Sequence, residues 1–143
     1  MADMSRKYWN RLKNLADTNA HQVSAGIVQF AAENNAALIV FPKYTEEYSK
    51  NVMKGCGKWS PIYLSVRIRN FVSYKAWRKG ILTIEVCSGS ISSVCAKCGG
   101  AIENVDRKTN EYHCVNGHQG NRYLNSARNL GMKCLAQFGK KVG

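Results

Sequence analysis

The sequence predicts an α/β fold with a small metal-binding ribbon set into it. Two short apolar runs, at 36–41 and 81–86, are separated by a helix-periodic segment, the pattern of parallel strands joined by a crossover. The third observation is Cys95-Ala-Lys-Cys98 followed, after fifteen intervening residues, by Cys114-Val-Asn-Gly-His118. Thiols at CxxC spacing share one tight turn, and the intervening stretch is long enough for a hairpin that returns a second ligand pair. Three thiolates and an imidazole suit a tetrahedral structural Zn²⁺. With four protein ligands and no open position, such an ion holds structure and does no chemistry.

Residues 6–16 read as a helix with Tyr8, Trp9, Leu12 and Leu15 inward and Arg6, Lys7, Arg11 and Lys13 outward. Asp17-Thr18-Asn19 reads as a break or cap. Beyond it Val23, Ile27, Phe30 and Ala31 keep a helical stripe that ends at Asn34-Asn35. The run 36–41 suits a strand buried on both faces and stopped by Pro42. Residues 43–59 lack periodicity and read as a surface loop. Ser60-Pro61 is a cap followed by a first-turn proline. The helix it opens carries Leu64, Ile68, Phe71, Val72 and Trp77 on one side and is closed by Gly80.

The second strand, at 81–86, is followed by a loop at 88–93 and the ribbon at 95–118. A last helix, 123–138, has its apolar stripe at Leu124, Ala127, Leu130, Cys134 and Phe138. Within the ribbon, Gly99-Gly100 and Gly117 supply positive-φ positions that turn backbone amides toward the thiolates. Tyr112 is placed to cover the site, and His113 is an alternative to His118 as fourth ligand. Two strands alone leave sheet edge unpaired, so another segment is expected to complete the sheet.

A chain of 143 residues with 45% hydrophobic content has material for one core plus a metal module. Its first residues are charged, without an apolar secretory segment, and no run approaches the length of a membrane span. Cys56, Cys87 and Cys134 are dispersed and read as reduced thiols, so the expected compartment is the cytoplasm. Lys and Arg number 21 against 9 Asp and Glu, a net charge of +12 that predicts a polyanionic partner, most often nucleic acid. The cations are spread over several elements, which argues against a membrane surface. The candidate contacts are Arg67, Arg69, Lys75, Arg78, Lys79, Lys97, Arg107, Lys108, Arg122 and Arg128. Trp9, Trp59 and Trp77 read as core aromatics or interface anchors.

The order of motifs carries a resemblance. A helix, the apolar strand, a basic helix ending in Tyr74-Lys75-Ala76 and the Gly80-Ile81 strand come first. The CxxC, Cys-x-Asn-Gly-His and Asn125-Ser126-Ala127-Arg128-Asn129-Leu130 follow. Over residues 5–132 this resembles the C-terminal half of a RuvC-like nuclease with an inserted zinc ribbon, as in TnpB and the type V CRISPR effectors. The resemblance implies a partial RNase H-like (RuvC) fold lacking its first strands. Residues 1–88 would be RuvC-like, 89–120 a zinc ribbon of the target nucleic acid-binding type, and 121–143 the C-terminal RuvC-like helix.

In that family three acidic residues bind two Mg²⁺ ions that cleave phosphodiesters. The first acid lies on an opening strand that precedes this sequence. The second falls at Pro42, followed by Lys43, and the third at Tyr123. The resemblance therefore implies a nuclease-dead chain with structural zinc and no catalytic Mg²⁺. Its partners would be a larger effector or that effector's N-terminal part, guide RNA and target DNA, bound in the nucleoid, with oligomerisation left open and no membrane involved. Two alternatives stand beside this reading. One is half of a split RuvC nuclease, and the other is a zinc-dependent adaptor or repressor derived from a transposase.

Overall fold

The structure, a computed structural model, describes residues 2–56 and 61–142. Trp59, Ser60 and the side chains of Cys56 and Leu64 lie outside what it describes. The elements run α1 (Ala2–Glu33), β1 (Leu38–Lys43), α2 (Glu46–Cys56), α3 (Pro61–Trp77), β2 (Leu82–Cys87), β3 (Ile102–Asp106), β4 (Glu111–Cys114), β5 (Gln119–Asn121) and α4 (Arg122–Val142). The chain divides into two compact units. The first is Met1–Ile39 with Tyr44–Ile84, and the second is Val40–Lys43 with Glu85–Gly143. The β1–β2 sheet contributes its opening residues to the first and its closing residues to the second.

In the first unit α1 is one continuous helix, so the break expected at 17–19 is absent. Asp17 instead pairs with Arg67 of α3 at 2.8 Å. The helix packs against α3 through small residues that let two backbones approach. Ala20, Ser24, Val28 and Ala31 are buried on α1, at i, i+4, i+8 and i+11, opposite Val72 and Ala76 on α3. Each helix ends in a Schellman turn. On α1, Asn35 takes φ 53°, and the Asn35 and Ala36 amides donate to the Ala32 and Ala31 carbonyls. On α3, Gly80 takes φ 72°, and the Gly80 and Ile81 amides donate to Trp77 and Ala76. The helix ends at Asn34-Asn35 and Gly80 are thus where the sequence puts them.

Three further expectations for this unit are corrected. Tyr8, Trp9, Leu12 and Leu15 are not inward; all are about half exposed or more, while among the described residues the fully buried positions of α1 facing α3 begin at Ala20. Trp77 lies not with Val72 but on the stripe Asn70, Ser73, Tyr74, Trp77, and is 71% exposed. Residues 43–59 are not a loop throughout, since α2 fills Glu46–Cys56. Its start was marked in the sequence: the Thr45 hydroxyl accepts from the Tyr48 amide, with Glu46 and Glu47 in the first turn.

The two strands are parallel, as expected. The Leu82 amide donates to Ala37 at one end and the Ser88 amide to Lys43 at the other, so both strands advance together. Pro42 does not stop β1, which runs on to Lys43. The ladder there uses the Lys43 carbonyl, so the proline's missing N–H costs no bond.

The second unit is built on the antiparallel sheet β3-β4-β5 and on α4. Cys95, Tyr112 and Cys114 are its buried cluster, with Ile102 and Val105 packed against them. The Asn121 side chain caps α4, accepting from the Tyr123 and Leu124 amides at 2.9 and 3.1 Å. The stripe expected on this helix is corrected. Leu124, Ala127 and Phe138 are exposed, and the buried face is Asn125, Asn129, Leu130 and Cys134.

Candidate functional site

Cys95 and Cys98 flank a turn entered from the Val94–Ala101 bridge, while Cys114 ends β4 and His118 precedes β5. One ligand atom from each of the four lies within 4.8 Å of all the others. Cys98 Sγ is 3.8 Å from Cys114 Sγ, which is 3.5 Å from His118 Nδ1. His113 stands between Tyr112 and Cys114 on β4, and side chains alternate along a strand. The face that carries Tyr112 and Cys114 into the cluster therefore turns His113 away, and His118 is the imidazole brought to the thiols. This donor set can hold one metal ion with every tetrahedral position taken by protein.

The shell around the sulfurs is built from N–H and O–H groups. The Gly100 amide and the Asn116 side-chain amide donate to Cys98 Sγ, and the His118 amide donates to Cys114 Sγ. Tyr112 is buried, its hydroxyl 3.5 Å from Cys95 Sγ, so it covers the site from below. Burial pushes the Cys95 thiol up, but hydrogen bonds from Tyr112 and from the Lys97 and Cys98 amides overcome this and hold it down at about 6. The same contact with Cys95, with burial, pushes Tyr112 up to about 12. Cys114 is raised, chiefly by burial. These directions hold for the metal-free thiols.

Gly99 and Gly117 adopt φ 73° and 80°, as their place beside the ligands predicts. Gly100 is glycine for another reason. A Cβ there would sit 2.8 Å from Asn116 Nδ2 and 3.0 Å from Val115 Cγ2, so the two ligand-bearing turns meet across it.

Three α4 side chains at four-residue spacing hold the strand-to-knuckle loop. Lys133 donates to the Gly89 carbonyl. Asn129 donates to Ile91 and Val94, both at 2.8 Å. Asn125 donates to the Val94 carbonyl and accepts from the Ala96 amide, both at 2.8 Å. The helix therefore fixes the backbone on which Cys95 stands. The i, i+4, i+8 repeat of Asn, Asn and Lys is the signal that could have revealed this clamp.

The candidate cations occupy different settings. Lys75 is turned onto α1, its ammonium donating to Ser24 Oγ at 2.7 Å and the His21 carbonyl at 2.9 Å. Arg67 is ion-paired with Asp17, and Arg69 lies half-buried on α3. Arg78 lies over the Tyr74 ring and Lys79 is exposed. Lys97 is exposed between the first two thiols, and Arg107 and Lys108 lie in the β3–β4 turn. Arg122 stacks on Tyr123 and donates to its hydroxyl, while Arg128 is exposed on α4. Pro42 and Lys43 close β1, and Tyr123, 60% exposed, opens α4.

Residues 66–130, a little under half of the chain, match the family model described as Cas12f1-like, TNB domain. No curated protein matches the sequence. Among solved structures, the chain resembles one in the "Cryo-EM structure of the Cas12f1-sgRNA-target DNA complex", with a TM-score of 0.67 and 18% identity over 85% of this chain. It spans about a third (34%) of the length of that chain. The matched segment begins in α3 and contains all four ligand residues and both clamping asparagines. Both findings support the resemblance to the C-terminal part of TnpB and type V effectors. Among the described residues, no helix is long and apolar enough to cross a membrane.

Proposed function

We propose that this chain is the nuclease-inactive, zinc-containing, nucleic-acid-binding part of an RNA-guided, TnpB-like assembly. In this reading a structural Zn²⁺ is held by Cys95, Cys98, Cys114 and His118, whose soft, closed donor set suits that ion. The ribbon at 89–120 is an insert between RuvC-like portions at 1–88 and 121–143, and a larger protein supplies the strands that complete the two-stranded sheet. Guide RNA and target DNA meet cations such as Lys79, Lys97, Arg107, Lys108 and Arg128, in the cytoplasm and on the nucleoid.

The observation that carries the reading is a closed four-donor group inside a segment matching a TNB domain, in a chain of net charge +12. Pro42 and Tyr123 at the two acid positions the sequence covers support inactivity, because neither offers an anionic oxygen to Mg²⁺.

The test is to purify the chain, count zinc and follow its binding to labelled RNA and DNA from 50 to 200 mM salt, with Mg²⁺ and Mn²⁺ present. One zinc per chain, no cleavage, and an affinity loss of about 10³-fold or more across that range are expected if six or more phosphates are contacted. Divalent-dependent cutting would overturn inactivity, and salt-insensitive binding would favour the adaptor reading.

A further inference from the structure

α3 carries two stripes. One, with Val72 and Ala76, is buried against α1. The other, Asn70, Ser73, Tyr74 and Trp77, faces a groove of about 530 Å³ completed by Ile81, Leu82 and Thr83 at the start of β2. Ile81 is buried and forms a floor, while Trp77, Tyr74 and Leu82 are 71%, 42% and 52% exposed. Single exposed apolar residues are ordinary, but these three line one concavity. The rest of its wall is polar, including the Ser73 and Thr83 hydroxyls 3.1 Å apart and the Asn70 amide.

Cations stand beside the aromatic groups. Arg78 lies 5.4 Å from the Tyr74 ring centroid, and Phe71 meets that ring edge-on at 6.3 Å, which fixes its plane. The α3 Schellman turn then leaves Lys79 exposed two residues beyond Trp77. A flat aromatic surface with amide and hydroxyl groups, and Arg78 and Lys79 on the adjoining α1-facing side of the helix end, are complementary to a single-stranded nucleic acid. The π-face takes a base, the polar wall meets its edge and the cations meet the backbone.

We propose that this groove binds an unpaired nucleobase of a single strand, stacked on Trp77, with flanking phosphates at Arg78 and Lys79. The inference rests on the nucleic-acid reading above and adds the strandedness of the ligand and the residue that selects it. A duplex keeps its bases stacked on one another and cannot offer one to Trp77.

The experiment measures anisotropy of a fluorescein-labelled twelve-nucleotide oligothymidylate and of a labelled duplex of equal length, using the full zinc-loaded chain. Trp77→Ala should weaken single-strand binding by about 5- to 150-fold, the range for losing one stacked base, with duplex binding unchanged. Trp77→Phe should recover most of the loss. Because Trp77 is exposed, the variants should melt with the wild type, which separates lost stacking from lost folding. The salt slope should survive Trp77→Ala and become shallower by about two in Arg78→Ala with Lys79→Ala. Equal losses on duplex and single strand, or no loss on either, overturn the groove while leaving the nucleic-acid reading intact. A wild-type chain that binds neither probe overturns both.

Discussion

Asn125 reaches two backbone groups of one loop, the Val94 carbonyl and the Ala96 amide, from a position 3% exposed. The carbonyl has a second donor in Asn129, but no other partner for the amide is seen among the described residues. Removing the acceptor should therefore cost more than removing the donor. Asn125→Ala is expected to destabilise the chain by about 1–3 kcal/mol, the cost of a buried group left unpaired, and Asn129→Ala, which removes only a donor, by less. Urea denaturation monitored by circular dichroism checks the order. The asparagines were legible as a motif and not as a clamp, because hydrophobic periodicity assigns polar residues to the outside. Their partners lie about thirty residues earlier, in a loop with no pattern of its own. The same bias put Leu124 and Ala127 on the buried face.

Among the elements, the β3–β4 hairpin shows its construction most fully. Asp106 pairs with Glu111 across the ladder, and its carboxylate accepts from the Lys108 and Thr109 amides at 2.8 and 3.4 Å before Asn110 turns the chain with φ 58°. Those bonds, the Lys108 amide first, hold the Asp106 carboxyl below its usual 3.8. A depressed carboxylate stabilises the fold above its unfolded value and loses that contribution as pH falls through the folded one. The turn should thus be fully braced at pH 7 and weaken below about pH 4. Asp106→Asn, which still accepts from the amides, should lower the melting temperature at pH 7 less than Asp106→Ala, and neither variant should show the parent's acid loss from this site. Melts at pH 7 and pH 3 decide it. The hairpin itself could be read from ligand spacing, and the helix ends from Asn35 and Gly80. The α2 helix was missed although Thr45, the acidic first turn and the i, i+4, i+8 spacing of Tyr48, Val52 and Cys56 mark it, because so short a period is obscured by the charges and glycines around it.

At the scale of the molecule the two compact units differ in what holds them. The first is closed by α1 packing on α3, and the second is organised around four metal-type donors. If zinc supplies the ribbon's cohesion, a strong chelator should lower the melting of the second unit while leaving that of the first in place. Calorimetry with and without chelator, beside Cys98→Ser, checks this: a single transition moved as a whole would contradict it. The crossover was legible because strand and helix periods differ, and the metal group because four ligands in two pairs leave few other arrangements. What the sequence could not disclose is which apolar stripes find a partner inside this chain. Tyr8, Leu12 and Leu15 have the spacing of a core face and are about half exposed or more.

That exposure makes α1 a gauge. Its 32 residues extend about 48 Å, yet the fully covered positions begin only at Ala20. The early turns are held by propagation from the packed half, so their amides should exchange with deuterium progressively faster toward the N-terminus. A protein laid along Tyr8, Leu12 and Leu15 would slow exchange there and leave Ser24 and Val28 unchanged. The buried half sets the zero of the scale, and the exposed half reads out occupancy.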